Sequence, residues 1–334
     1  MAGPAKSEAM AASLATIGVA EQAAERPDKS VPRGFERDCA MADTIAILGD
    51  TWTFLVAREA FFSARRFTDF HERLAIPRAT LTATLDKLVE AGIFELRELG
   101  EARRWKGYFL TERGLDLYPV FIALLAFGDR WLQPGCPPLA LFHLECRSWF
   151  TPRVVWTESG ESVEAQHVTF GIASDYWRPL TAAPARQRRP WRDGQVVGRR
   201  PCSVERTLSI IGDRWTFLIL REFFHGNTRF DEIHQNLGIA TNILSGRLKN
   251  LVAGGLLERG PGGAAYALTA EGWDLFAPLT LMKAWADRWL RAGRTPTQFF
   301  CDAAGQRLTP RVVCSACGGA VPARRVRFIT GYHL

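Results

Sequence analysis

The chain has 334 residues, 47% hydrophobic and 23% charged, with 42 Lys and Arg against 35 Asp and Glu. That composition is globular, long enough for two or three domains with cores of their own, and no apolar run approaches the roughly 20 residues that cross a bilayer. Seven cysteines, an odd number, argue against a disulfide framework and for a reducing, cytoplasmic setting. The Ala-rich stretch from Met10 to Ala20 follows only Lys6 and is diluted by Glu8, which makes a poor signal peptide. A net charge of +7 is too small to indicate nucleic acid on its own, but it is unevenly placed. Residues 1–190 hold 23 basic and 24 acidic side chains and residues 191–334 hold 19 and 11, with basic clusters at Arg65-Arg66 and Arg103-Arg104-Trp105-Lys106. Such clusters are ordinary solvated surface unless a scaffold presents them.

In chain order, residues 1–35 lack packing periodicity and read as a disordered arm. A first unit, 36–132, opens with an apolar helix around Thr44, Ile45, Ile47 and Leu48 that stops at Gly49. Asp50 then offers an N-cap for a second helix carrying Trp52, Leu55 and Val56. Phe67, Phe70 and Leu74 make the buried stripe of a third helix. After a short break at Ala75-Ile76-Pro77, Leu81, Leu85 and Leu88 mark a fourth. Two short amphipathic helices around a tight turn form a helix-turn-helix. Beyond Gly92, two short strands around a polar loop make a hairpin, the position of a wing. Thr111 caps a closing helix that ends in Asp129-Arg130-Trp131-Leu132. A tail module follows at 133–170, then an Arg/Pro-rich linker at 171–199.

The chain then repeats itself. The 57 residues from Cys39 align without a gap to those from Cys202, roughly 23 of them identical. Tyr-x-Leu-Thr recurs at Tyr108 and Tyr266, Asp-Arg-Trp-Leu at 129 and 287, and Thr-Pro-Arg-Val-Val at 151 and 309. A second unit therefore spans 200–290 and a second, Cys-containing tail 291–334. The expected fold is mainly α with small β-wings: tandem winged helix-turn-helix domains forming a pseudo-dimer, each with a small irregular or β tail.

The combination Cys-(about nine)-Gly-Asp-x-Trp-x-Phe-Leu, Arg-Phe-x-x-hydrophobic-His, Leu-x-x-x-Leu-x-x-Leu and Tyr-x-Leu-Thr-x-x-Gly resembles the HxlR-type winged-helix transcriptional regulators, relatives of the MarR group. The resemblance covers both copies, about two thirds of the chain. It implies double-stranded DNA as partner and dimerisation through outer helices. Family members are usually single-unit chains, so two joined units imply an intramolecular pseudo-dimer with two unequal heads, most simply a repressor on adjacent half-sites.

With the leucines facing inward, the reading side of the fourth helix carries Arg78, Thr80, Thr82 and Lys87, with Asp86 among them. The second copy offers Thr241, Asn242, Ser245, Lys249 and Asn250, with Arg247 at the edge. Arg and Lys suit guanine edges, Asn suits adenine, and hydroxyls suit phosphates or bases. The first wing adds Arg103, Arg104 and Lys106, whereas the second has Arg259 before a neutral Gly260-Pro261-Gly262-Gly263 tip. The first copy is thus expected to grip through its wing and the second through its helix.

Cys39 and Cys202 occupy equivalent places. The resemblance implies a thiol sensor for electrophiles or oxidants, while their residue type equally fits a small buried apolar group. In the second tail Cys301, Cys314 and Cys317 have metal-like spacing, with His333 a candidate fourth ligand for a structural zinc. The first tail carries His143-x-x-Cys146, with His143 aligned to Cys301, while Trp156 and Ser159 replace the Cys-x-x-Cys knuckle. No nucleophile, base and orienting group come together, which disfavours an enzyme. The alternative to a DNA reader is a degenerate pair acting as a ligand-binding or protein-interaction module.

Overall fold

The computed structural model describes residues 35–99, 105–132, 134–135, 137–172, 177–179, 202–260, 265–293, 297–301 and 305–330. The arm expected over the first 35 residues lies outside them apart from Phe35. In the first copy, strand β1 (Phe35–Arg37) precedes helices α1 (Ala40–Leu48), α2 (Thr51–Phe61), α3 (Phe67–Leu74) and α4 (Arg78–Glu90). The wing strands β2 (Phe94–Leu99) and β3 (Trp105–Leu110) follow, then α5 (Glu112–Leu115) and α6 (Tyr118–Phe127). The single closing helix expected from the pattern is thus broken in two, with Pro119 in the first turn of α6, where its missing N–H costs nothing. The Asp129-Arg130-Trp131-Leu132 segment continues α6 as one π-helical turn.

The first tail contains β4 (Leu139–His143), β5 (Ser148–Phe150), β6 (Pro152–Trp156), β7 (Val168–Ile172) and β8 (Trp177–Pro179). The second copy repeats the order with α7 (Ser203–Ile211), α8 (Arg214–Phe224), α9 (Phe230–Leu237), α10 (Thr241–Ala253), β9 (Leu257–Arg259), β10 (Tyr266–Leu268), α11 (Ala270–Asp274) and α12 (Phe276–Trp289). Its tail holds β11 (Thr297–Cys301), β12 (Arg307–Leu308), β13 (Pro310–Cys314) and β14 (Val326–Thr330). Two pieces of the expected linker are strands: β7 runs to Ile172, and β8 pairs antiparallel with β1, Phe35 opposite Pro179.

The local signals work as the residues dictate. Asp50 accepts from the Thr53 N–H at 2.9 Å and Asp213 from the Trp215 N–H at 3.1 Å, capping α2 and α8. Thr111 and Thr269 each accept a backbone N–H at 3.1 Å at the starts of α5 and α11. Both wings are antiparallel hairpins, Phe94 opposite Leu110 and Leu257 opposite Leu268.

Neither copy finishes its core alone. The opening helix of each packs on the closing helix of the other, α1 on α12 and α7 on α6. The Thr44 hydroxyl donates to the Met282 carbonyl at 2.7 Å, and its repeat mate Thr207 donates to the Leu124 carbonyl at 2.9 Å. Trp131 donates to Asp274 and Trp289 to Asp116, each at 2.7 Å. Repeat mates also meet one another: the backbones of Asp50 and Asp213 form an antiparallel β-bridge, Phe54 stacks on Phe217 at 6.0 Å, and Val154 lies opposite Val312 where β6 pairs with β13. Such self-pairing is the mark of an isologous two-fold contact. The tails interlock as well, because β4 pairs with β14 and β7 with β11, each copy's strand lying on its counterpart's. Among the described residues no helix is long and apolar enough to cross a membrane.

Candidate nucleic-acid interface

Leu81, Leu85 and Leu88 of α4, and Leu244, Leu248 and Leu251 of α10, are buried. Helical spacing then turns the intervening residues outward. On α10, Thr241, Asn242, Ser245, Lys249 and Asn250 are all exposed. Arg247 departs from expectation: only 13% of its side chain is exposed and its Nε donates to Asp213 at 3.0 Å. It precedes a core leucine and braces the cap of α8 instead of facing outward.

The face of α4 is less basic. Arg78, Thr82 and Asp86 are exposed, Thr80 is half-buried, and the Arg78 guanidinium lies over the Phe67 ring at 5.9 Å. Thr82 donates back to the Arg78 carbonyl at 3.1 Å, leaving its oxygen lone pairs outward. Lys87 is drawn toward Asp50 at 3.6 Å, in a pair partly open to water. Its charge is therefore shared with the capping carboxylate, while Asp86 is exposed and has no ion pair among the described residues.

The wings differ as their sequences imply. Lys106 is exposed opposite Glu98, and Trp105, 69% exposed, stands at the end of β3 opposite Leu99. Arg103 and Arg104 lie outside the described residues. In the second wing Arg259 is exposed with its guanidinium over Tyr266 at 5.8 Å. Two further exposed cations, Arg66 and Arg229, occupy the cap positions of α3 and α9. The first helix of a helix-turn-helix crosses the DNA backbone, so these positions suit phosphates. The repeated Arg-Phe pair was the signal for them in the sequence.

Gly246 sits inside α10 with nothing within 4 Å of where a Cβ would project. A glycine in a helix interior costs about 0.5–1 kcal/mol relative to alanine. Gly246→Ala is accordingly expected to raise stability by that amount in urea melts. A stabilised variant with weakened DNA retention would assign the glycine to close approach of a ligand, and an unstabilised one would refute the open-space argument.

Cys39 and Cys202 are the N-cap residues of α1 and α7 and are 5% and 4% exposed, the burial of a small apolar residue in the seam. Arg37, two residues before Cys39, points its Nε at Glu222 at 3.3 Å. The metal-ligand set expected within the second tail is not the set that comes together among the described side chains. Cys314 and Cys317 meet His143 and Cys146 of the first tail. Cys301 ends β11 with its backbone opposite Val168, in a different sheet from Cys314, and its side chain, like His333, lies outside the described residues.

The HxlR-like helix-turn-helix family profile matches residues 47–135 and 210–294. An uncharacterised HTH-type transcriptional regulator of Mycobacterium tuberculosis is 41% identical over 126 residues, 37% of this chain and 80% of that protein. The HTH-type transcriptional regulator YodB of Bacillus subtilis is 29% identical over 96 residues, 28% of this chain and 86% of that protein. The crystal structure of PA1607, a candidate transcription factor, is 31% identical and aligns over 40% of this chain and 97% of its own at a TM-score of 0.36.

Proposed function

Because the chain belongs to the HxlR-like helix-turn-helix family and carries two copies of its domain, we propose that it is a DNA-binding transcription regulator, a repressor, that works as a dimer written in one chain. The observation that carries this reading is the outward face of α10, where Thr241, Asn242, Ser245, Lys249 and Asn250 stand exposed above a buried leucine row. Hydroxyl, amide and ammonium groups in that arrangement match base edges and phosphates in a major groove. Together α4 and α10 read two half-sites, and Arg66, Arg229, Lys106 and Arg259 hold the backbone. Arg247 acts through Asp213, positioning the helix and not touching a base.

A ligand-binding module without DNA is less well supported. The apolar cavity lined by Cys39, Phe170, Phe276 and Thr280 measures about 30 Å³, room for about one water. A recess of about 230 Å³ lined by Lys283, Asp287, Arg288 and Arg307 also falls short of the roughly 300–1,000 Å³ of small-molecule sites.

The test is selection of bound duplexes from a random pool, followed by footprinting. One chain per duplex should protect two half-sites centred about 10 base pairs apart, and inserting about half a helical turn between them should abolish tight binding. Failure to enrich any sequence would refute the reading. Repression is tested with a reporter carrying the selected site over its promoter, where deletion of the protein should raise expression.

A further inference from the structure

Strand exchange between the tails gathers four side chains that are far apart in sequence. His143 ends β4 and Cys146 lies in the turn before β5; Cys314 ends β13 and Cys317 lies in the turn beyond it. Their ligand atoms all fall within 4.8 Å of one another. His143 Nδ1 is 3.3 Å from Cys146 Sγ and 3.5 Å from Cys317 Sγ, and Cys146 Sγ is 3.8 Å from Cys314 Sγ. A tetrahedral zinc with Zn–S of about 2.3 Å and Zn–N of about 2.0 Å has S···S edges of about 3.8 Å and S···N edges of about 3.5 Å. The three separations are the edges of such a tetrahedron.

We propose that His143, Cys146, Cys314 and Cys317 bind one zinc ion per chain, in a structural site that clips the first tail to the second. The surroundings fit an ion as well as the distances do. His143 is fully buried, and with Nδ1 turned into the cluster its Nε2 has no hydrogen-bond partner. That nitrogen faces the Glu145 carboxylate at 3.8 Å, with Arg325 at 3.7 Å from the other carboxylate oxygen. A carboxylate behind a ligating imidazole fixes its tautomer and raises its basicity. On the opposite side the Gly319 N–H donates to Cys317 Sγ at 3.4 Å, and a Cβ on Gly319 would lie 3.2 Å from that sulfur. Gly318 has φ +70°, so the two glycines let the backbone curl around the thiolate.

The repeat supplies an internal control. The positions related to these four are Cys301, Ala304, Trp156 and Ser159. There the buried Trp156 ring packs on Phe299 at 5.8 Å, in an apolar cluster with Val163, Val168 and Leu308. One end of the interlocked tails is closed by an indole and the other by an ion, which makes the stoichiometry one per chain and not two. The four residues are remote from the reading helices in sequence, and the proposal stands whether or not the chain binds DNA.

The full chain, purified under reducing conditions without added metal or chelator, should carry one equivalent of zinc by plasma mass spectrometry. Replacement by Co(II) should give the intense visible bands of a tetrahedral site with thiolate-to-cobalt charge transfer. Cys146→Ser and Cys317→Ser should each lose the metal, while Cys301→Ser keeps it. His143→Cys should retain the metal and raise the charge-transfer intensity by about a third, as four thiolates replace three; this readout does not depend on whether the serine variants fold. Zinc-free protein, metal loss in Cys301→Ser equal to that in Cys146→Ser, or a Cys146–Cys314 disulfide under reducing conditions would overturn the proposal.

Discussion

Replacing Glu222 by Gln is expected to destabilise the chain by about 3–5 kcal/mol, the cost of removing one partner from a buried ion pair. Glu222 has no solvent exposure and receives Arg37 at 3.3 Å, Arg221 at 2.8 Å, Asn227 at 2.8 Å and Asn236 at 3.0 Å. Burial pushes its carboxyl up, but Arg221, Arg37 and the hydrogen bonds prevail and hold it at about 2, below the ordinary 4.5. The variant removes the buried negative charge that Arg221 and Arg37 share, the latter arriving from the strand at the start of the other copy.

The sign of the pH dependence follows from proton counts. The unfolded chain protonates Glu222 below 4.5 and the folded chain only near 2, so the stabilisation is complete above 4.5 and is lost as pH falls toward 2. His225 acts earlier in the same direction. Burial and the nearby Arg37 lower its imidazole from 6.5 to about 3, so the unfolded state gains a proton below 6.5 that the folded state refuses. Urea melts across pH should show wild-type stability falling from about pH 6.5 and more steeply below 4.5. In Glu222→Gln the steeper limb should become shallower, the remainder coming from groups such as Asp69, whose carboxyl is held low against its burial by the Arg66 and Arg65 N–H groups. A variant within about 1 kcal/mol of wild type at neutral pH would remove Glu222 from the list of stabilising groups.

On DNA, the triple change Asn242→Ala, Ser245→Ala, Lys249→Ala is expected to blunt discrimination between selected and scrambled duplexes by at least about 10-fold, since one good bidentate base contact is worth about 1–3 kcal/mol. Lys249 alone should lower the salt slope by about 1. Changing Arg103, Arg104 and Lys106 to Ala should instead weaken both duplexes alike and lower the slope by up to about 3 units, one for each phosphate neutralised. The division of labour rests on charge: Asp86 stands on the face of α4 where α10 presents Lys249, and Lys87 is drawn to Asp50. Equal losses of salt slope from the two sets would refute it.

The helices, caps and wings were legible in the sequence because each is written locally. Asp50 and Thr111 cap where their residue types belong, and the leucine row of α4 is buried as its spacing requires. The partner of Arg247 is not legible from its polarity, because its position just before Leu248 at the edge of the face brings it within reach of Asp213. The ligand cluster was harder. His143 and Cys146 lie in one copy and Cys314 and Cys317 in the other, at unrelated places within the repeat. Only the pairing of β4 with β14 and of β6 with β13 unites them, and strand exchange between tails leaves no periodic trace along a chain. Likewise Glu222 reads as an ordinary helix residue until Arg37 arrives from 185 positions away.

The exchanged helices also set the order of events during synthesis. The apolar side of α1, with Met41, Ile45 and Leu48, is covered by α12, whose first residue is Phe276. More than 200 residues must therefore leave the ribosome before that cover exists, which at about 5–20 residues per second takes on the order of 10–45 s. For that interval the first copy's opening helix is a sticky surface on a nascent chain, and its short helix-turn-helix must hold together without it. A premature stop between α11 and α12 leaves α1 uncovered and the second copy without its closing helix at once.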